Sequence, residues 1–169
     1  MPLIGSPPQI LTAERVRELF NYDPDTGLFT RRIAIGYRGR FRKGDVPGTD
    51  NKNGYIRIIV DYKKYYAHRL AWLHVFGYLP EEIDHIDRNR SNNRISNLRP
   101  ATHAQNLSNA LRLRTKSGLK GAYRFQNRWK SSITSTGKQI HLGLFDTAEE
   151  AHAAYVAAAK KYHGEFARY

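Results

Sequence analysis

Between Ile83 and Asn106 the chain reads IDHIDRNRSNNRISNLRPATHAQN. A carboxylate sits beside an imidazole at Asp84-His85, a second carboxylate follows at Asp87, and carboxamides recur as far as Asn106. These side chains suit one kind of chemistry. Hydrolysing a phosphodiester requires an activated water, charge relief on the phosphoryl group and help for the leaving oxygen, and a hard divalent cation supplies the last two. Such a cation prefers oxygen donors, the carboxylate and the amide carbonyl among them. An imidazole with an ordinary pKa of about 6.5 takes a proton from water at neutral pH. Asp84, His85 and an Asn on the helix that follows make up that set. Neighbours on a regular strand point to opposite faces. Asp84 and His85 can therefore serve one phosphate only if the strand ends or bends there, which the polar loop from Asp87 permits.

The elements that would hold these residues can be read from the pattern. Ile83–Ile86 and Ile95–Arg99 are expected as two short strands joined by the polar loop, and Thr102 as the cap of a helix over about 104–111, giving a ββα unit. Upstream, Thr12 caps a short helix over Ala13–Phe20, with Val16, Leu19 and Phe20 at helical spacing. A turn at Tyr22-Asp-Pro-Asp-Thr-Gly27 leads into a strand over Leu28–Arg32. Residues 34–53 read as a loop or hairpin tip, with Arg38, Arg40, Arg42 and Lys43 set among Gly36, Gly39 and Gly44. Tyr55–Val60 and Tyr65–Ala67 form a hairpin across Asp61–Lys64, and His68–Gly77 a helix, with Pro80 just beyond it. His74 reads as a packed helix residue, and His68 as structural or phosphate-contacting rather than catalytic.

Residues 112–120 are polar and basic and read as a linker. Beyond it, Ala122–Phe125, Trp129–Thr134 and Gln139–Leu142 predict three strands, with turns at Asn127 and Thr136-Gly137. Asp146 or Thr147 caps an Ala-rich helix to about Tyr162, acidic in its first turn and basic in its last, as the helix dipole favours. Ala151, Ala154, Tyr155, Ala158 and Tyr162 form the stripe that would cover the sheet. A unit this small has no room for a deep catalytic pocket, so binding is its natural role.

The formal net charge is +13 and the sequence pI about 10.1, which points to polyanionic partners. From Arg88 to Phe145 there are 12 Lys and Arg and no Asp or Glu. The absence of cysteine excludes disulfides, Cys-ligated zinc and thiol catalysis. With neither a secretory pattern nor a long apolar run, a soluble, cytoplasmic protein is expected.

Asp84-His85-Ile86-Asp87, Asn92-Asn93, Asn97-Leu98-Arg99 and Thr102 to Asn106 together resemble the ββα-metal motif of HNH endonucleases, most closely the homing and free-standing enzymes of bacteriophages. YDPDTG, NGYIRI and AHRLAW resemble the usual N-terminal portion of these enzymes, so the likeness covers roughly residues 12–110. The resemblance implies that His85 is the general base. Asp84 and Asn106 would hold one divalent cation, Mg²⁺ or Mn²⁺. Asn97 would be the central Asn, bracing the loop through backbone hydrogen bonds. Where many members carry a third-letter His, this chain has Asn106, which argues against zinc. Asp87 fits a loop role better than that of a second ligand.

Residues 117–169 resemble the plant ethylene-response-factor (Apetala-2-like) DNA-binding domain, through Trp129, His141-Leu142-Gly143, the run from Phe145 to Ala151, Ala154-Tyr155, Ala158-Ala159 and Gly164 to Ala167. That likeness implies a sheet laid in the major groove, with Lys120, Arg124, Arg128, Lys130 and Lys138 facing DNA and Trp129 in the core. Several arginines of the plant domains are absent, which leaves the target site unread.

The expected fold is therefore α+β. An HNH domain over 1–111 would have a β-rich portion at 12–67 and a ββα-metal core at 83–111. After the 112–120 linker would come a three-stranded antiparallel sheet with one helix over 121–169. The expected function is metal-dependent hydrolysis of double-stranded DNA, by a monomer that nicks or a homodimer that cuts both strands. Arg38, Arg40, Arg42, Lys43, Arg69, Arg88, Arg90, Arg94 and Arg99 would add phosphate contacts. The alternatives are a sequence-specific transcription regulator without cleavage and an RNA-binding protein.

Overall fold

The computed structural model describes residues 11–34, 40–103, 105–106 and 117–167. Arg38, most of the expected 104–111 helix and residues 112–116 of the expected linker lie outside them. The chain divides into two units, Met1–Arg99 and Pro100–Tyr169.

In the first unit, the Thr12 hydroxyl accepts the Arg15 N–H at 3.2 Å and opens α1 (Ala13–Leu19). Val16, Leu19 and Phe20 are buried, as their spacing requires. The chain passes directly into β1 (Phe20–Tyr22), antiparallel to β2 (Phe29–Arg31). The turn between them is closed by Asp23, whose Oδ1 accepts the N–H groups of Asp25 and Thr26. Next come β3 (Thr49–Asp50), β4 (Ile56–Val60) and β5 (Lys63–Tyr66), a three-stranded antiparallel sheet. The β4–β5 turn has only two residues, Asp61 and Tyr62, both at positive φ, the conformation that matches the twist of a tight hairpin. Arg15 reaches across to Asp61 with two hydrogen bonds of 2.9 and 2.8 Å.

α2 (Ala67–Phe76) buries Ala67, Leu70, Ala71, Trp72 and Leu73, and Gly77 ends it in the left-handed conformation. These side chains join Val16, Phe20, Phe29, Ile58, Val60, Ile83 and Leu98 in one core. β6 (Glu82–His85) pairs with β7 (Leu98–Ala101). The expected strand over Ile95–Arg99 is corrected in its first half, because Ile95–Asn97 form a 3-10 turn and the strand starts only at Leu98. The Asn97 N–H turns back to the Arg94 carbonyl (2.9 Å) and the Ile95 N–H goes to the Pro24 carbonyl (3.1 Å), so neither is left for a sheet ladder.

In the second unit, β8 (Ala122–Phe125), β9 (Arg128–Ser135) and β10 (Lys138–Phe145) form an antiparallel sheet in the order β10-β9-β8, with a bulge between His141 and Gly143. α3 (Ala148–His163) opens on a capping box in which Thr147 and Glu150 satisfy each other's backbone N–H groups. Ala151, Tyr155, Ala158 and Ala159 are its buried face. Tyr162, expected on that stripe, is exposed, whereas Ala167, brought back by the Gly164–Phe166 turn, packs with Tyr155 and Ile133.

Gly121 couples this sheet to α3. Its φ is +81°, and a Cβ there would lie 2.2 Å from the Tyr155 ring. Gly121→Ala is expected to destabilise the second unit by about 3 kcal/mol or more, combining left-handed strain with overpacking. Denaturant unfolding followed at Trp129 measures it, and a loss below about 1 kcal/mol would contradict this packing.

Candidate active site

β6 ends at His85, so the condition set by adjacency is met: the strand stops where the imidazole begins. The Arg88 N–H closes a turn onto the His85 carbonyl (2.9 Å), with Arg88 itself at a φ of 66°. Asp84 and His85 are each only 4% exposed. The loop that follows is held by Asn97, which is also buried. Its Oδ1 accepts the Asp87 N–H (3.0 Å), and its Nδ2 donates to the Asn92 carbonyl (2.8 Å) and to Asp87 Oδ1 (2.9 Å). The Asn97 carbonyl accepts the Ile86 N–H at 2.9 Å. Asp87 also accepts from the Asn89 N–H and the Asn92 amide, both at 2.7 Å. Burial alone would raise the pKa of Asp87, but these hydrogen bonds outweigh it and hold the carboxyl below its ordinary value. Its carboxylate thus closes the loop.

His85 Nε2 lies 3.4 Å from Asn93 Oδ1. The His85 ring meets that of His68 edge to face, 5.0 Å between centroids, and Tyr55 at 5.9 Å. His68 is buried and stacks on Tyr66 at 5.5 Å. Arg57 covers the Tyr66 ring at 5.0 Å and Arg90 the Tyr55 ring at 4.9 Å. Burial lowers the pKa of His85 in spite of the opposing Asn93 contact, and burial beside His85 and Arg69 lowers that of His68 to about 3. Burial thus favours the neutral form of both rings, the form in which an imidazole accepts a proton.

Asp84 is paired within the protein. Arg99 donates through Nε (3.0 Å) and Nη2 (2.8 Å), both to Asp84 Oδ2. Asn106 belongs to the second unit, in a first helical turn opened by a reciprocal Thr102–Gln105 cap, and its N–H bonds the Thr102 carbonyl at 3.0 Å. Among the described residues no group of three or more His, Cys, Asp or Glu could hold a metal. A carboxylate and a carboxamide offer oxygen donors only. Donors of this kind suit a hard cation that completes its shell with water and phosphate, not a closed protein cage.

The remaining basic candidates vary in setting. Arg40, Arg42, Lys43, Arg88, Arg94, Arg124 and Lys138 are exposed. Arg69 bonds the Glu81 carbonyl (3.3 Å) and Arg90 that of Asn53 (3.1 Å). Arg128 pairs with Asp146 at 3.0 Å. Lys130 and Lys120 are half-buried, Lys120 lying 5.9 Å from the centre of the Tyr155 ring. Trp129 packs with Ala122 and Ala151, its ring covered by Arg124. The contact of Asn93 with His85 and the gathering of Tyr55 and Tyr66 around His68 were not foreseen from the sequence. Nothing in the spacing separates Asn93 from Asn92 beside it.

Comparison with known proteins bears directly on this arrangement. The HNH endonuclease family model matches residues 65–108, from β5 through Asn106. An uncharacterized HNH endonuclease of Acanthamoeba polyphaga mimivirus is 37% identical over 120 residues, 69% of this chain and 62% of that protein. Protein 3.8 of Escherichia phage T7 is 33% identical over 117 residues, 64% of this chain and 96% of that protein. The chain belongs to the HNH endonuclease family. It spans 62% of the mimivirus relative's length. The solved structure "DNA binding and cleavage by the HNH homing endonuclease I-HmuI" overlaps 85% of this HNH chain and 84% of its own, with a TM-score of 0.42 at 22% identity. An AP2-like ethylene-responsive transcription factor of Arabidopsis thaliana is 52% identical over 42 residues, 25% of this chain and 9% of that protein. No described helix is long and apolar enough to cross a membrane.

The burial of His68 has a consequence for stability. In the unfolded chain a histidine takes a proton below about 6.5, whereas the folded ring does so only at about 3. The unfolded state therefore binds more protons throughout that window, and stability falls as the pH drops through it. The slope is at most about 1.4 kcal/mol per pH unit from this group. Urea unfolding at about pH 7 and about pH 5 should show a smaller acid loss in His68→Phe than in the natural chain. Equal losses in the two proteins would contradict it.

Proposed function

We propose that this HNH protein is a homing-like, metal-dependent DNA endonuclease of phage or mobile-element type that hydrolyses phosphodiester bonds in double-stranded DNA. The observation that carries the reading is a buried imidazole at the end of a strand, beside a carboxylate and behind a loop braced by one buried carboxamide. In this reading His85 takes the proton of the attacking water. Asn97 acts through the loop and keeps His85 and Asp84 in place. Asp84 and Asn106 would hold one Mg²⁺ or Mn²⁺. When bound, the cation supplies charge relief on the phosphoryl oxygens and at the leaving oxygen.

Binding in this proposal is divided. In the first unit, basic groups from Arg38 to Lys43 and from Arg69 to Arg99 contact phosphates. The second unit, similar to an AP2-like transcription factor over only 42 residues, lays its sheet on the duplex through Lys120, Arg124, Arg128, Lys130 and Lys138. The domains proposed are 1–111 and 121–169, joined by 112–120. Linking a weak binding module to a nuclease raises the local concentration of each at the DNA, and affinity falls steeply with salt as counterions are released.

The test is a supercoiled-plasmid assay with Mg²⁺ or Mn²⁺, with and without chelator. Cutting should require the metal. His85→Ala should lower it by at least about 1000-fold, the scale of a lost general base with some margin for positioning, while DNA affinity stays within about twofold. Binding without cutting under every metal would overturn the proposal and favour a regulator. Removal of 121–169 should abolish site preference, and unchanged cleavage positions would remove the second unit from target choice.

A further inference from the structure

Asn93 is 4% exposed, and every polar group of its side chain has a defined direction. Nδ2 donates to the Ser91 carbonyl at 3.1 Å. A carbonyl can only accept, so this bond fixes which end of the amide is nitrogen. The other end, Oδ1, is then turned toward His85 Nε2 at 3.4 Å. An amide oxygen is also only an acceptor, so the hydrogen between these two atoms has to come from the ring. In a neutral imidazole one nitrogen carries hydrogen and the other carries the lone pair. A hydrogen on Nε2 leaves Nδ1 as the basic atom.

The backbone of Asn93 is held from a distant part of the sequence. The buried Tyr22 hydroxyl donates to the Asn93 carbonyl at 2.7 Å. Burial, with Asp23 nearby, pushes the Tyr22 phenol up to about 12, so it remains a donor. The Ile95 N–H bonds the Pro24 carbonyl at 3.1 Å. Gly27, at a φ of +74°, sits so close that a Cβ would lie 2.5 Å from the Asn93 carbonyl carbon and the Arg94 nitrogen. The Tyr22–Gly27 turn thus holds residues 93–95 at three points.

We propose that Asn93 is a positioning residue that sets the tautomer of His85, so that Nδ1 takes the proton, and that the Tyr22–Gly27 turn acts on the reaction by holding Asn93. The inference rests on His85 being the general base, and it goes beyond that reading by naming the atom and the residues that select it. It also gives the N-terminal β-rich segment a part in the chemistry in addition to its part in the core.

The test begins with the natural protein, free of DNA and metal, above neutral pH. Nitrogen–proton correlation spectra of the imidazoles, assigned with His85→Ala, report which ring nitrogen bears hydrogen. His85 should appear as the Nε2–H tautomer, and an Nδ1–H ring would overturn the proposal without any variant having to fold. Asn93→Ala should lose that preference and lower kcat by about 10- to 100-fold, the range for groups that orient a functional histidine, while KM for DNA stays within about twofold. Full kcat in Asn93→Ala, or a change confined to KM, would overturn it. Tyr22→Phe should give a smaller fall in kcat. Failure here is distinguishable from failure of the base assignment, since His85→Ala cutting at the natural rate would remove the base yet leave the tautomer measurement standing.

Discussion

One buried carboxamide holds the site together. Both Asn97 amide hydrogens and its carbonyl oxygen are engaged, two of the three bonds reaching backbone groups on the far side of the loop. A buried polar group left without its partner costs about 1–3 kcal/mol, so a loop that breaks this set has little to gain. Because Asp87 answers Asn97 with its own carboxylate and also holds Asn89 and Asn92, residues 87–97 behave as a folded object. The direction of His85 follows from this, since its strand ends where that object begins. A free strand end would leave the ring to choose among rotamers, and reaction rates fall when a reacting group is misplaced by even about 1 Å.

Charge is arranged in layers around this point. The chain carries a net +13, yet burial favours the neutral form of the two rings at the centre, and Asp84 is paired with Arg99. Cations begin one layer out, with Arg57 and Arg90 resting on tyrosine faces that line the histidine pair. Stacking of this kind costs a guanidinium little of its hydration and restricts its motion. In the proposed reaction a proton acceptor has to stay unprotonated among many positive groups while a polyanion is drawn in, and separating the two by a layer of aromatic rings would serve both needs.

Much of this was legible in the residues alone, and the limits have physical causes. Helix starts were readable where a side chain caps: Thr12, Thr102 and Thr147 all accept from the N–H three residues on. The second unit's strands were readable because turn residues at Asn127 and Thr136-Gly137 separate them, and the chain does turn there, with positive φ at Gln126, Thr136 and Gly137. The start of β7 was misread because Ile95 looks like a strand residue, while its N–H is drawn to Pro24, 71 positions earlier. Tyr162 was placed on the buried face by periodicity, which carries no information on where the sheet beneath stops. Around the candidate site, the strand that carries Asp84 and His85 and the loop-bracing bonds of Asn97 agree with what type and spacing suggested. The contact of Asn93 with His85 could not be read there, because it depends on Ser91 turning one face of its amide and on Tyr22 holding its backbone. The pairing of Arg99 with Asp84 was likewise invisible, since spacing alone assigns an arginine in so basic a stretch no particular carboxylate.

The account stands or falls on oxygen donors from two places in the chain meeting at one cation. The most direct measurement is anomalous diffraction from a crystal of the protein with duplex DNA and Mn²⁺. One strong peak per chain is expected, at bonding distance from Asp84 and Asn106 and from a phosphate oxygen, with the His85 ring on the other side of that phosphate. A peak bound elsewhere, or an Asp84 carboxylate still closed on Arg99 with no metal beside it in a complex that cleaves, would contradict it.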